Sequence, residues 1–124
     1  MTRWFFIGAA GACGTLLRYA IDLWLAERLG KSFPWGTLTV NLLGCFFIGV
    51  ALNLLQDRFL LSPYWRAALL IGFLGGLTTF SSFGVQAFGF FKAGQVEAAL
   101  GYIAVSNLAG VLLVWAGYVL ARSF

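Results

Sequence analysis

The chain has 124 residues, 61% of them hydrophobic and only 10% charged, with a net charge of +4. Soluble domains carry about 25% charged residues, so this composition excludes a water-soluble fold. The eight basic residues are scattered singly, without the clustered patch or recognition motif of a nucleic-acid binder.

In chain order, the apolar segments read as four transmembrane helices. The first covers about 4–26: Trp4 to Leu17 is free of charge, and Arg18 and Asp22 follow near its far end. A cleaved signal peptide is disfavoured, because the apolar pattern runs on past Cys13. The second covers about 35–56, inside a charge-free interval of 25 residues from 32 to 56. The third covers 67–91, 25 residues, and the fourth 98–121, 24 residues, neither holding a charge. About 20 apolar residues in helical conformation cross a bilayer core. The connections are short, and Trp4, Trp24, Trp35, Tyr64, Trp65 and Tyr118 fall near span ends, where amphipathic rings favour the interface. The expected organisation is one transmembrane domain, 1–124, embedded in lipid.

Four spans place both termini on one side. That side, with the middle loop, holds Arg3, Arg58, Arg66 and Arg122, four basic residues; the other holds Arg28, Lys31 and Lys92, three. The positive-inside rule needs an asymmetry to choose an orientation. Four against three barely chooses, which points to insertion in both orientations and antiparallel pairing.

The polar residues inside the spans bear on function. The third span contains Gly75-Gly76-Leu77-Thr78-Thr79-Phe80-Ser81-Ser82-Phe83. Adjacent glycines cost about 1 kcal/mol each in a helix interior relative to alanine, so a break near the middle of this helix is expected. Unwound backbone at membrane depth is tolerated only in protein or along a watery path. Thr37 and Asn41 share a face of the second helix, Tyr102, Ser106 and Gly110 a face of the fourth, and Phe80 and Phe83 a face of the third. Interhelical hydrogen bonding alone accounts for any single hydroxyl; the coincidence of the stripes with a glycine break favours a pathway. No acid lies in the middle of spans two to four, which disfavours a proton relay or a carboxylate-lined cation path. Amide and hydroxyl donors, with the positive edges of phenylalanine rings, suit an anion. Arg18 and Asp22 are i, i+4, either a local ion pair or the charge of a vestibule at Arg18 that draws anions. Cys13 and Cys45 read as small packing residues. With no histidine, the serines lack an evident base and the usual metal clusters are missing, so an enzyme is not expected.

The third-span motif resembles that of the CrcB/Fluc fluoride channel family. The resemblance continues in Gly8 to Gly14 with Arg18-Tyr19, and in Gly36 to Gly44. It implies a dual-topology, antiparallel homodimer with two pores, passing fluoride passively out across the bacterial inner membrane. By that resemblance Phe80 and Phe83 line the fluoride path, Asn41 donates a hydrogen bond into it, and Ser81 and Tyr102 are polar groups of the pore. Thr37 belongs to a polar track that Ser106 extends. Main-chain carbonyls of Gly75 and Thr78 from both subunits would hold a structural sodium ion (Na+) on the two-fold axis. One departure stands out: where the family often carries glutamate, this chain has Gln86, keeping hydrogen bonding without the charge.

Two other readings compete. A small multidrug exporter has similar size and topology but needs a membrane-embedded glutamate in its first helix, which is missing here. An assembly protein would use the same glycines and hydroxyls for packing only, and would tolerate substitution of Phe80 and Asn41.

Overall fold

The computed structural model describes residues 1–58 and 61–123. Residues 59–60, part of the expected connection from Asp57 to Arg66, lie outside them, as do the side chains of Asp57 and Arg58. Among the described residues the regular elements are all helices, with no strand. Helix α1 is Thr2–Leu29 and α2 is Trp35–Ala51, continued by a π-helical stretch, Leu52–Arg58. The third crossing is built from α3 (Pro63–Ala67), a π-helical stretch (Ala68–Phe73), α4 (Leu74–Leu77) and α5 (Phe80–Lys92). Helix α6 is Val96–Ala121. Four stretches are long and apolar enough to cross a membrane: Thr2–Leu29, Trp35–Leu55, Pro63–Lys92 and Val96–Ala121. Backbone groups in hydrocarbon must bond internally, which helices accomplish within one segment.

The helix ends follow local chemistry. Gly30 takes φ +86° after α1, a conformation that suits glycine. Ser62 caps α3 by accepting from the Tyr64 amide at 3.3 Å, with Pro63 at the first helical position. Arg3 lies 5.3 Å from the Tyr64 ring and Phe6 5.6 Å from Trp65, so the N-terminus and the middle loop share one end of the bundle. That is the side the sequence assigned them.

Large apolar side chains face outward along every span, among them Trp4, Leu16, Phe47, Ile71, Leu108 and Trp115. A soluble domain would bury them; a bilayer takes their place here. The interior is held by close backbone approach. Helix α1 packs on the first half of the third crossing, and α2 packs mainly on α6. A Cβ at Gly14 would overlap the Phe73 carbonyl oxygen, and one at Gly117 would overlap the Phe46 carbonyl oxygen. Small residues at these crossings let the helices meet backbone to backbone. Asn53, 2% exposed, ties the second span to the fourth by donating to the Tyr118 carbonyl at 3.2 Å.

Between α4 and α5 the backbone leaves helical geometry for two residues. Thr78 has φ −93° and ψ 159°, and Thr79 φ −152° and ψ 121°. Gly75 and Gly76, the expected weak points, are themselves helical.

Candidate functional site

The extended pair is held from three sides. Asn41, on α2, meets the Thr79 peptide with both ends of its amide: Nδ2 donates to the Thr79 carbonyl at 3.0 Å, and Oδ1 accepts from the Thr79 N–H at 2.8 Å. Arg18, on α1, donates from Nε to the Gly76 carbonyl at 3.1 Å. Thr79 also caps α5, its Oγ1 accepting from the Ser82 N–H at 3.2 Å and donating to Ser82 Oγ at 3.1 Å. A threonine hydroxyl is a favoured helix N-cap, so the second helix restarts where the sequence supplies one.

These bonds take away the helical donors of carbonyls before the break, those of Gly75 and Thr78 among them. In an unbroken helix Gly75 O would accept from the Thr79 N–H and Thr78 O from the Ser82 N–H. The first amide is taken by Asn41 and the second by the Thr79 hydroxyl. Gly75 is exposed, with open space where a Cβ would project. Peptide oxygens released from helical bonding beside a glycine are of the kind that a hard cation takes as ligands. Among the described residues no cluster of His, Cys, Asp or Glu offers an alternative metal site.

A groove of about 340 Å³ opens beside this break. Asn41, Thr78, Thr79, Phe80, Phe83 and Ser106 line it, and no lining residue carries a charge. Among the described residues the Ser106 hydroxyl oxygen is buried without a hydrogen-bond partner. An orphan hydroxyl away from water costs about 1–3 kcal/mol; the Asn53 amide oxygen, away from the groove, is likewise buried without a partner among the described residues. The two phenylalanine rings lie 5.6 Å apart, tilted by 40°. They differ sharply in setting: Phe83 is 8% exposed and packs on Tyr102, while Phe80 is 81% exposed. Ser81 sits on the exposed side of α5, 3.5 Å from the Thr79 hydroxyl, outside the groove lining within one chain.

Thr37 and Tyr102 lie deeper, joined through Gln86. Tyr102, 1% exposed, donates from its hydroxyl to Gln86 Oε1 at 2.7 Å, and Gln86 Nε2 donates to Thr37 Oγ1 at 2.9 Å. Around them Phe33, Phe83 and Phe90 surround the tyrosine ring at 5.0–6.1 Å. Gln86 also lines a second cavity of about 500 Å³ at the bundle end, with Asp22, Lys31, Trp35 and Gln95. The cation of this mouth is Lys31; Arg18 does not line it. Among the described residues no ion pair joins Arg18 to Asp22: the guanidinium crosses to Gly76 instead, and Asp22 packs against Gly36.

Gln86→Leu should therefore leave the Thr37 and Tyr102 hydroxyls without their shared partner. Thermal unfolding in detergent should show a loss of about 1–3 kcal/mol. Gln86→Glu should cost less, since its carboxylate still accepts from Tyr102.

Residues 5–118 match the family described as CrcB-like protein, Camphor Resistance (CrcB). The chain belongs to the CrcB family. Relatives named "Fluoride-specific ion channel FluC" include one from Acidobacterium capsulatum, 42% identical over 120 residues covering 97% of this chain and 96% of the relative. One from Pseudomonas putida is 46% identical over 116 residues, 94% of each chain. Another, from Rhizobium meliloti, is 42% identical over 123 residues, 99% of this chain and 98% of the relative. The resemblance read from the third-span motif thus extends along essentially the whole chain of this CrcB protein.

The sequence reading did not anticipate Thr79 as the hub of the break or Gln86 as the bridge between Thr37 and Tyr102. Thr79 had a readable signal, a hydroxyl residue immediately before the second half of the helix. Gln86 stood out as a hydrogen-bonding side chain, but its partners lie on other helices, so the sequence did not show which groups it joins.

Proposed function

We propose that this chain is a fluoride-selective channel of the bacterial inner membrane, letting fluoride leave the cytoplasm down its electrochemical gradient. The observation that carries the proposal is the uncharged groove at the break, lined by amide, hydroxyl and phenylalanine groups, with the Ser106 hydroxyl unpartnered. Membership of the CrcB family and relatives named as fluoride-specific channels support it. One Asn41 N–H is committed to Thr79; its second N–H remains to donate toward an anion. Phe80 and Phe83 would present ring edges, Ser106 and Thr37 hydroxyls, and Tyr102 its ring, with its hydroxyl held by Gln86, and Ser81 would reach the path at the rim. Weak donors in series let an ion enter without trapping it. No carboxylate lines the groove to repel an anion or carry a proton, which favours passive, electrogenic conduction.

The working unit is proposed to be an antiparallel homodimer of dual topology. An aromatic ring 81% exposed beside an uncharged groove, and a glycine facing open space, both support a covering partner. So does the near balance of basic residues on the two sides. In that dimer the Gly75 and Thr78 carbonyls of each copy would converge on a structural sodium ion, which would tie the two broken helices together. The break in the third helix would then serve both the groove and the interface.

Cells lacking their own fluoride exporter test the proposal. Expression of this chain should restore growth in fluoride medium, and Gly75→Val should remove the rescue, because a branched side chain would block the covering partner. Unchanged sensitivity despite membrane-inserted protein would count against the channel and leave an assembly role in its place.

A further inference from the structure

The pathway above leaves one polar side chain unexplained. Asn107 lies on α6, near the middle of the charge-free interval 98–121, and it is exposed. Its neighbours on the outward face are apolar: Leu100 is 56% exposed, Leu108 67% and Val111 71%. Its Nδ2 donates to the Ile103 carbonyl at 2.7 Å, one turn back on its own helix. A primary amide has two donors and an acceptor; among the described residues, Oδ1 and the second N–H meet no partner within the chain. Left against lipid at that depth, an amide is costly.

Position says what relieves the cost. Ser106, the preceding residue, has its hydroxyl oxygen buried, while Asn107 is exposed and lines the same groove. Phe80, at 81% exposure, and Gly75, facing open space, line it as well. This is the face that a second copy would close.

We infer that Asn107 is a polar anchor of the contact between two copies of this chain, its amide bonding across the interface. The inference rests on the dimer reading. In a two-fold dimer the residue occurs twice, so its contribution is doubled. Hydrogen bonds between membrane helices are individually modest. Two of them correspond to roughly a tenfold change in the dimer dissociation constant.

Subunit counting by photobleaching, in liposomes over a range of protein-to-lipid ratios, measures that constant. A titration with denaturing detergent extends the range where dilution leaves everything dimeric. Asn107→Leu should weaken dimerisation about tenfold, the change appearing in the dimer population measured by subunit counting. Asn107→Gln, which keeps the amide, should recover most of the affinity. Coincident curves for the parent and Asn107→Leu would overturn the inference. Reduced flux per dimer with unchanged dimerisation would also overturn it, and would move Asn107 into the ion path. Parent protein that is monomeric at every ratio would remove the dimer reading and this anchor together. Parent protein that dimerises through Asn107 but passes no fluoride would defeat the channel reading alone.

Discussion

Phe80→Ile should cut fluoride flux by about two orders of magnitude, equivalent to about 2.7 kcal/mol on the barrier. The isoleucine keeps bulk and hydrophobicity but removes the positive ring edge that can face an anion. Phe80 is also placed where such a loss can be read cleanly. It is 81% exposed in the single chain and contributes little to the core. The stability of the single chain should therefore stay within about 0.5 kcal/mol of the parent. Phe83 is the poorer test, since it is 8% exposed and packs on Tyr102 at 5.0 Å. Its replacement would mix lost packing with lost conduction. Near-parental flux through Phe80→Ile, in folded protein, would remove the aromatic contribution from the mechanism.

Asn41→Leu should damage both fold and flux. The leucine cannot satisfy either the N–H or the carbonyl of Thr79, which Asn41 holds at 2.8 and 3.0 Å. Each unsatisfied buried group costs about 1–3 kcal/mol, so the total is about 2–6 kcal/mol. Thr79 would be pressed to rejoin the helix and bond Gly75 O, closing the break. Thermal unfolding in detergent should register the loss, and flux should fall to background. Asn41→Asp keeps the acceptor for the Thr79 N–H but loses the donor and adds a charge facing the groove. It should retain more stability than Asn41→Leu while still losing flux. A leucine variant as stable as the parent would show that the Thr79 peptide finds other partners.

The spans were legible because charges punctuate the chain at bilayer spacing. Their ends were less so. Helices Thr2–Leu29 and Val96–Ala121 and the third crossing from Pro63 all begin before the charge-free intervals do. Long basic side chains reach the interface from inside a helix end, so a charge does not mark where a helix starts. For the third crossing the Ser62-Pro63 pair was the better signal. The third-span motif located the polar site, but glycine content pointed to Gly75-Gly76 as the weak backbone, whereas the extended residues are Thr78 and Thr79. Gly76 serves a different need, since a Cβ there would overlap the Gly11 carbonyl oxygen on α1. The break is set by groups from other helices, the Asn41 amide and the Arg18 guanidinium, acting with the Thr79 cap. Periodicity reports which residues share a face of one helix and is silent about which faces meet. That is why the Arg18–Asp22 spacing read equally well as an ion pair, and why the Thr37–Gln86–Tyr102 bridge stayed hidden.

Fluoride efflux from liposomes holding the purified protein tests the central claim most directly, read with a fluoride electrode and with chloride-loaded liposomes as control. The account predicts rapid release once valinomycin supplies a potassium counter-current, with little release in its absence and little chloride release in either case. Fluoride release no faster than from protein-free liposomes, by folded and inserted protein, would contradict it.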